Sequence, residues 1–404
     1  MKIGIYPQPS ASALGGTDVV VSVLAESLAA SDAVEILHHG RDTTLDGLAA
    51  FSGTDLRGVR LRRVGPRLHL AGDSHNPFRR FQEARNSGRE LSAPYDLFIT
   101  FTHDPPPFCH ARQGILAVLF PMFTPAHLAT PRTHGLWDRG RRAYSFVEWE
   151  RRFSGYGIKV AISQYTRDWV LRMWGVEATI VYPPTPVPPS VKEKEPLILS
   201  IGRFASGGHV KCQLEMVDAF KGLLPKEWHY VTAGALGGDA ADRAYADKVR
   251  AAAPNGQVKV ATNIDRADVS DLYGRASLFW HAAGLGSADT SPECSEHFGI
   301  STVEAMSAGA VPIVINKGGQ PEIVEHGVSG FLWNTIDELR EYTRLLAADE
   351  SLRLRMSSAA RERAELFSRS RFVSEFTRLV DSIRPGRTRA RIKPSSRSME
   401  ASSR

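Results

Sequence analysis

Short runs rich in β-branched residues alternate with helical segments along this chain, and one proline-rich stretch interrupts them. Residues 2–6 (KIGIY) lead through Gly15-Gly16 into a helix-like stretch to about Ala30, with Val19, Val20, Val23, Leu24 and Leu28 on one face. Strand-like runs recur at 34–37 (VEIL), 96–101 (DLFITF), 115–120 (ILAVLF), 158–163 (IKVAIS) and 179–182 (TIVY). Over 182–196 six of fifteen residues are proline, which removes backbone donors and stiffens the chain, so a connector is predicted there. The alternation then restarts, with strands predicted at 197–202, 229–235, 257–262, 278–283 and 312–317 and helices near 213–223, 240–252, 269–276 and 301–308. Strands separated by helices of this kind imply parallel sheets covered on both faces. Two such blocks predict an α/β chain of two Rossmann-like, doubly wound domains that face one another, with ligands in the cleft at the carboxyl ends of the strands.

The expected units are residues 1–183, a linker at 184–196, a second domain at 197–365, a helix at 366–383 and a basic tail at 384–404. That tail holds seven basic residues and one acid, the whole of the net charge of +6, and the rest of the chain balances 43 basic against 43 acidic residues. A nucleic-acid partner is therefore not expected, because such proteins carry their cations on a folded face. The tail itself, rich in Ser, Arg and Pro, is expected to be disordered, with attraction to an anionic membrane as its functional reading. Hydrophobic residues at 42% and charged residues at 23% exclude a wholly disordered or collagen-like chain. Cys109, Cys212 and Cys294 fit no metal-ligand spacing and suggest a reducing compartment. No apolar run reaches the roughly eighteen residues of a membrane span, and MKIGIYPQPS does not resemble a secretory signal. The expected location is the cytoplasm, with peripheral contact at the inner membrane face.

The richest segment is 296–333 (EHFGISTVEAMSAGAVPIVINKGGQPEIVEHGVSGFLW). A helix starting near Gly299, Ile300 and Ser301 places Glu304 about one turn inside and Glu296 in the loop before it. Unpaired N–H groups at the first turn, reinforced by the macrodipole, suit a diphosphate without a metal. Glu304 can then accept from two ribose hydroxyls, and Glu296 faces whatever the distal phosphate carries. Gly15 and Gly16 after the first strand admit the same kind of close approach, although a purely structural tight turn explains them too. The loop lacks the G-x-G-x-x-G pattern, so no nicotinamide or flavin cofactor is expected.

With Phe298-Gly299 and the turn 318–322 (GGQPE), this segment resembles the donor-binding signature of glycosyltransferase family four, and the resemblance is strongest over 197–333. It implies the two-domain GT-B fold and a retaining, metal-independent hexosyltransferase that uses a nucleoside-diphosphate sugar and a saccharide or glycolipid acceptor, as in polysaccharide assembly. By the same resemblance Glu304 binds ribose and Glu296 the donor sugar, and Arg203 and Lys211 in 201–213 (IGRFASGGHVKCQ) neutralise the departing diphosphate. Asn263 and Ile264, past a strand end, are expected near the base. Many family members carry a histidine after the strand matching 115–120, where this chain reads Leu119-Phe120-Pro121-Met122. His103 and His281, each at a strand end, are the candidates for acceptor or sugar contact. The departure keeps two other readings open: a non-catalytic nucleotide-sugar sensor or scaffold, and a GT-B epimerase or phosphorylase. A basic aromatic stretch at 132–157 is expected to pack Phe146, Trp149 and Phe153 against the sheet, with acceptor or membrane contact as the alternative.

Overall fold

The computed structural model describes the chain outside residues 8–13, 40–42, 65–76, 124–135, 186–191, 208–209, 254–255, 289 and 385–404, and outside the side chains of Pro77 and 136–143. Seven strands, β1 (Lys2–Pro7), β2 (Ala33–His38), β3 (Val59–Arg63), β4 (Leu97–Thr102), β5 (Gln113–Val118), β6 (Ile158–Ala161) and β7 (Thr179–Ile180), form one parallel sheet in the order β3-β2-β1-β4-β5-β6-β7. Six more, β8 (Glu195–Ile201), β9 (His229–Gly234), β10 (Val258–Thr262), β11 (Ala276–His281), β12 (Val311–Ile315) and β13 (Phe331–Trp333), form a second parallel sheet, β10-β9-β8-β11-β12-β13. Each sheet reverses direction beside its first strand, which makes both doubly wound and opens a crevice at that point.

Helices cover the faces. The first domain carries α1 (Gly16–Ala29), α2 (Leu45–Ser52), α3 (Pro77–Ser92), α4 (Leu136–Ser154) and α5 (Gln164–Trp174). The second carries α6 (Gln213–Phe220), α7 (Ala240–Ala252), α8 (Arg266–Arg275), α9 (Ile300–Ser307), α10 (Gln320–Ile323), α11 (Ile336–Ala348) and α12 (Glu350–Ala364). Strands β4, β11 and β12 are buried along their whole length, the consequence of helices on both sides. Val19, Val20, Val23, Leu24 and Leu28 of α1 pack against Ile3, Ile5, Ile36 and Ile99 of the sheet beneath.

The last helix, α13 (Arg369–Ser382), lies in the first domain's core, where Phe372, Phe376 and Val380 are buried and Phe376 stacks on Phe101 with ring centroids 6.2 Å apart. Burying each of these side chains contributes about 1.5–3 kcal/mol, enough to hold the helix against α1. Arg384, just beyond it, binds Asp32 at 2.5 Å, and Asp32 also takes the chain's amino terminus at 2.6 Å.

Three details depart from the sequence expectation. The run 179–182 is a strand only at Thr179–Ile180. Strand β3, an edge of alternating apolar and basic residues, carries too little apolar signal to be read. In α4, Trp149 and Phe153 are buried as expected, but Phe146 is 56% exposed. The basic tail from 385 onward lies outside the described residues, as do residues 186–191 of the proline-rich connector. Among the described residues no helix is long and apolar enough to cross a membrane.

Candidate active site

The carboxyl ends of the two sheets meet around the loop that joins β11 to α9. Gly299 caps α9 with φ 124°, and a Cβ there would lie 2.5 Å from Gln320 Nε2. The 318–320 turn packs backbone to backbone on this loop. A Cβ on Gly318 (φ 64°) would sit 2.2 Å from the Glu296 carbonyl oxygen, and the Gly319 N–H donates to that same oxygen at 2.8 Å. Only glycine tolerates this approach and this φ together. The result fixes where Glu296 leaves the backbone and where the first turn of α9 points. Phe298 turns away into the core, where it packs against Tyr182 and Phe367.

The amino end of α1 comes to the same place from the first domain. A Cβ on Gly16 would fall 2.9 Å from Ile300 Cδ1, so the first turns of α1 and α9 touch across the interdomain seam. Gly15 is extended (φ −145°), with open space where its Cβ would be, and its N–H donates to Asp18 Oδ2 at 2.8 Å. Gly16 is thus the position of close approach. Two helix amino ends directed at one seam present unpaired N–H groups and two positive dipole ends, an arrangement suited to an anion. Burial pushes the Asp18 carboxyl up from its ordinary value, against the opposing pull of the Gly15 N–H.

Glu296 is held by two donors on a single oxygen. Lys211 Nζ lies 2.6 Å and His281 Nε2 3.0 Å from its Oε2. Burial works to raise the Glu296 pKa, but the Lys211 ammonium and the His281 ring outweigh it and hold the carboxyl well below the usual carboxylate range. Lys211, expected on the leaving diphosphate, is here the partner of Glu296. Its stem crosses Gly202 so closely that a Cβ there would lie 2.7 Å from Lys211 Cγ. The next residue, Cys212, adopts a left-handed φ of 54° as the cap of α6, which turns the chain sharply at this point. Arg203 is exposed, and its guanidinium makes no hydrogen bond or ion pair among the described residues.

Glu304 is 6% exposed and both its oxygens are engaged: Arg266 Nη2 reaches Oε1 at 2.6 Å and the Tyr273 hydroxyl donates to Oε2 at 2.8 Å. Burial opposes the Arg266 charge, but Glu304 more than restores it and the arginine's pKa rises. Neither Arg266 nor Tyr273 carries a motif that would single it out in the sequence. Asn263, in the left-handed region at φ 56°, accepts the Leu236 N–H through its side-chain oxygen at 2.8 Å, and Ile264 packs onto the second domain's core. Ser301 follows Ile300 in the first turn of α9.

From the first domain, His103 faces His297 with ring centroids 5.9 Å apart, and Phe120 stacks flat on His297 at 3.9 Å and 7°. Phe120 lies where the family resemblance led one to look for a histidine, and the imidazole at that place comes from the second domain instead. His297 was not read as a site residue; its position beside Glu296 was the available signal. Ser163 Oγ donates to the His297 carbonyl at 2.6 Å, and Tyr165 to that of Pro292 at 2.9 Å. Glu322 caps the amino end of α5, accepting from the N–H groups of Gln164 and Tyr165 at 2.7 Å each. These contacts fasten the two domains beside the seam.

Residues 186–363 match the family Glycosyl transferases group 1. That stretch is the second sheet with its helices, the part that carries Arg203, Lys211, Glu296 and Glu304. The chain is 28% identical over 234 residues to the GDP-Man:Man(3)GlcNAc(2)-PP-Dol alpha-1,2-mannosyltransferase of Dictyostelium discoideum, across 54% of this chain and 44% of that protein. It is 31% identical over 137 residues to the GDP-mannose:cellobiosyl-diphosphopolyprenol alpha-mannosyltransferase of Komagataeibacter xylinus, across 34% of this chain and 32% of that one. The chain thus spans less than half the length of these curated relatives. Among solved structures, the sucrose-phosphate synthase of Thermosynechococcus elongatus superposes with a TM-score of 0.66 at 16% identity, over 94% of this chain and 98% of that one. The Anabaena protein Alr3699/HepE in complex with UDP-glucose gives 0.65 at 18% identity, over 95% and 100%. The fold is GT-B, and the family match supports a glycosyltransferase.

Proposed function

We propose that this protein transfers a sugar from a nucleoside-diphosphate donor to a hydroxyl acceptor, with the anomeric configuration retained. The reading rests on the contact between the amino ends of α1 and α9 at the interdomain seam, with Glu296 in the loop before α9 and Glu304 one turn inside it. In this reading the diphosphate lies against the first turn of α9, Glu304 receives the ribose hydroxyls, and Glu296 faces the sugar. The bond from the anomeric carbon to the phosphate oxygen breaks, and a bond to the acceptor oxygen forms on the same face. The acceptor proton passes to the leaving phosphate. Arg203 and the helix N–H groups stabilise the charge that develops on that phosphate. These groups supply enough positive charge that we also propose metal independence, for which unchanged turnover in excess EDTA is the test.

Both mannosyltransferase relatives are named for GDP-mannose, and the Anabaena neighbours were solved with UDP or UDP-glucose, so these two donors come first. The acceptor is a saccharide or glycolipid in polysaccharide or glycolipid assembly, reached from the first-domain side by His103. A thermal-shift screen of GDP, UDP, ADP and their sugars, followed by mass spectrometry of donor and acceptor, tests the reading. A stabilising nucleotide together with a sugar-extended acceptor supports it. Binding without turnover across a broad acceptor panel points instead to a sensor.

A further inference from the structure

We propose that His281 is a positioning residue for this reaction: by donating from Nε2 to Glu296 Oε2 it aims the other carboxylate oxygen, Oε1, at the donor sugar. The inference rests on the donor site proposed above.

His281 is the last residue of β11, a strand buried along its length, and is itself 4% exposed, so the ring has little freedom to drift. An ionised carboxylate only accepts, so the Nε2 that meets Glu296 must carry the proton. Nδ1 then holds a lone pair, and it has no hydrogen-bond partner among the described residues. Protonating the ring would create a buried N–H with nothing to receive it. Burial accordingly pushes the His281 pKa below its ordinary value, although Glu296 pulls the other way and Lys211 adds repulsion. The ring is held neutral in the Nε2–H tautomer, a fixed directional donor.

Lys211 donates to the same oxygen but differs in kind. Its ammonium sits on a flexible four-carbon stem that enters from a loop, and it is a point charge without preferred direction. With both donors on Oε2, Oε1 accepts no hydrogen bond from any described residue. The two roles therefore separate. Lys211 can swing to the departing diphosphate during transfer, while His281 keeps the carboxylate in line. A lysine alone could not leave without releasing Glu296.

Three variants and one spectrum test this. In His281→Gln the amide nitrogen reaches about as far as Nε2, in His281→Asn it falls short, and His281→Phe keeps the shape without a donor. Calorimetry with GDP and UDP should give affinities within about twofold of the parent for all three, because Glu304 and α9 are untouched. Turnover of GDP-mannose or UDP-glucose, whichever the parent uses, should fall roughly 10- to 100-fold in the Phe and Asn variants, the rate equivalent of one charge-assisted hydrogen bond. Gln should recover most of the loss. The ring nitrogens, read by 15N NMR on the parent protein, should show the neutral Nε2–H tautomer at pH 7. A Phe variant as active as the parent, Asn equal to Gln, or a cationic or Nδ1–H ring at pH 7 overturns the proposal. If the parent turns over none of the GDP, UDP and ADP sugars, the proposed function fails on its own account, and the tautomer still decides whether the ring is set as described.

Discussion

Replacing Glu304 with alanine is expected to weaken binding of nucleoside diphosphates about a hundredfold and to leave the protein folded. The carboxylate is buried, with Tyr273 donating at 2.8 Å and Arg266 at 2.6 Å. Its removal leaves a buried tyrosine hydroxyl without an acceptor, which costs about 1–3 kcal/mol. Arg266 has 42% of its side chain exposed and can turn to water, so loss of its pair adds at most about 1 kcal/mol. The second domain should therefore lose about 2 kcal/mol and remain folded. Binding loses more. Two ribose hydroxyls donating to one carboxylate form charge-assisted bonds of about 1.5–3 kcal/mol each, and sharing the oxygens with Arg266 and Tyr273 reduces the total to about 3 kcal/mol. That is roughly a hundredfold in Kd. The assay is calorimetry with GDP, UDP and pyrophosphate, alongside Glu304→Gln, which preserves an acceptor for Tyr273. Pyrophosphate, which has no ribose, should bind the parent and both variants alike. A folded Glu304→Ala protein that binds GDP and UDP as the parent does would refute the assignment of Glu304.

Arg203→Ala is expected to leave nucleotide affinity within about threefold but slow turnover roughly a hundredfold, as for the loss of one group that stabilises transition-state charge; steady-state kinetics beside calorimetry separates the two effects. Asp32 is buried, which alone would raise its pKa, yet Arg384 and the amino terminus bring it down to about 2. Because the folded value lies below the unfolded one, its stabilisation is complete above about pH 4 and disappears as the pH falls through 2, at about 2 kcal/mol in all. The melting difference between the parent and Asp32→Asn should accordingly be large at pH 7 and small at pH 2. Phe78 is exposed on α3 along with Arg79, Arg85 and Arg89 of the same helix, an aromatic and basic set suited to an anionic bilayer. Co-sedimentation with phosphatidylserine vesicles should fall in Phe78→Ser; equal recovery of parent and variant would remove this helix from the account.

Much of the architecture could be read directly because periodicity is local information. β-Branched runs such as 97–102 and the apolar face of α1 announce themselves, and the prolines at 183–189 mark the break between the sheets. The two glutamates were legible through their spacing around a helix start. Their partners were not. Lys211 and Glu296 stand 85 residues apart and Arg266 and Glu304 38, within the second domain, and Gln164 and Glu322 stand 158 apart across the two domains; no spacing rule connects residues that meet only once the chain has folded. His297 shows the same limit, since its stacking partner Phe120 belongs to the other domain. Phe146 illustrates a different failure. Its spacing with Trp149 and Phe153 fits a buried stripe, but the width of that stripe is set by what α4 packs against, and Phe146 falls outside it. Burial along a helix is decided by its neighbours as much as by its own pattern.

The most direct measurement is a crystal structure with GDP or UDP bound. The account requires both phosphoryl groups to lie between the amino ends of α1 and α9, within hydrogen-bond reach of the Ile300 and Ser301 N–H groups, with the ribose on Glu304 and the open end of the diphosphate toward Glu296. A nucleotide found away from that seam, or one there whose ribose ignores Glu304, would contradict it.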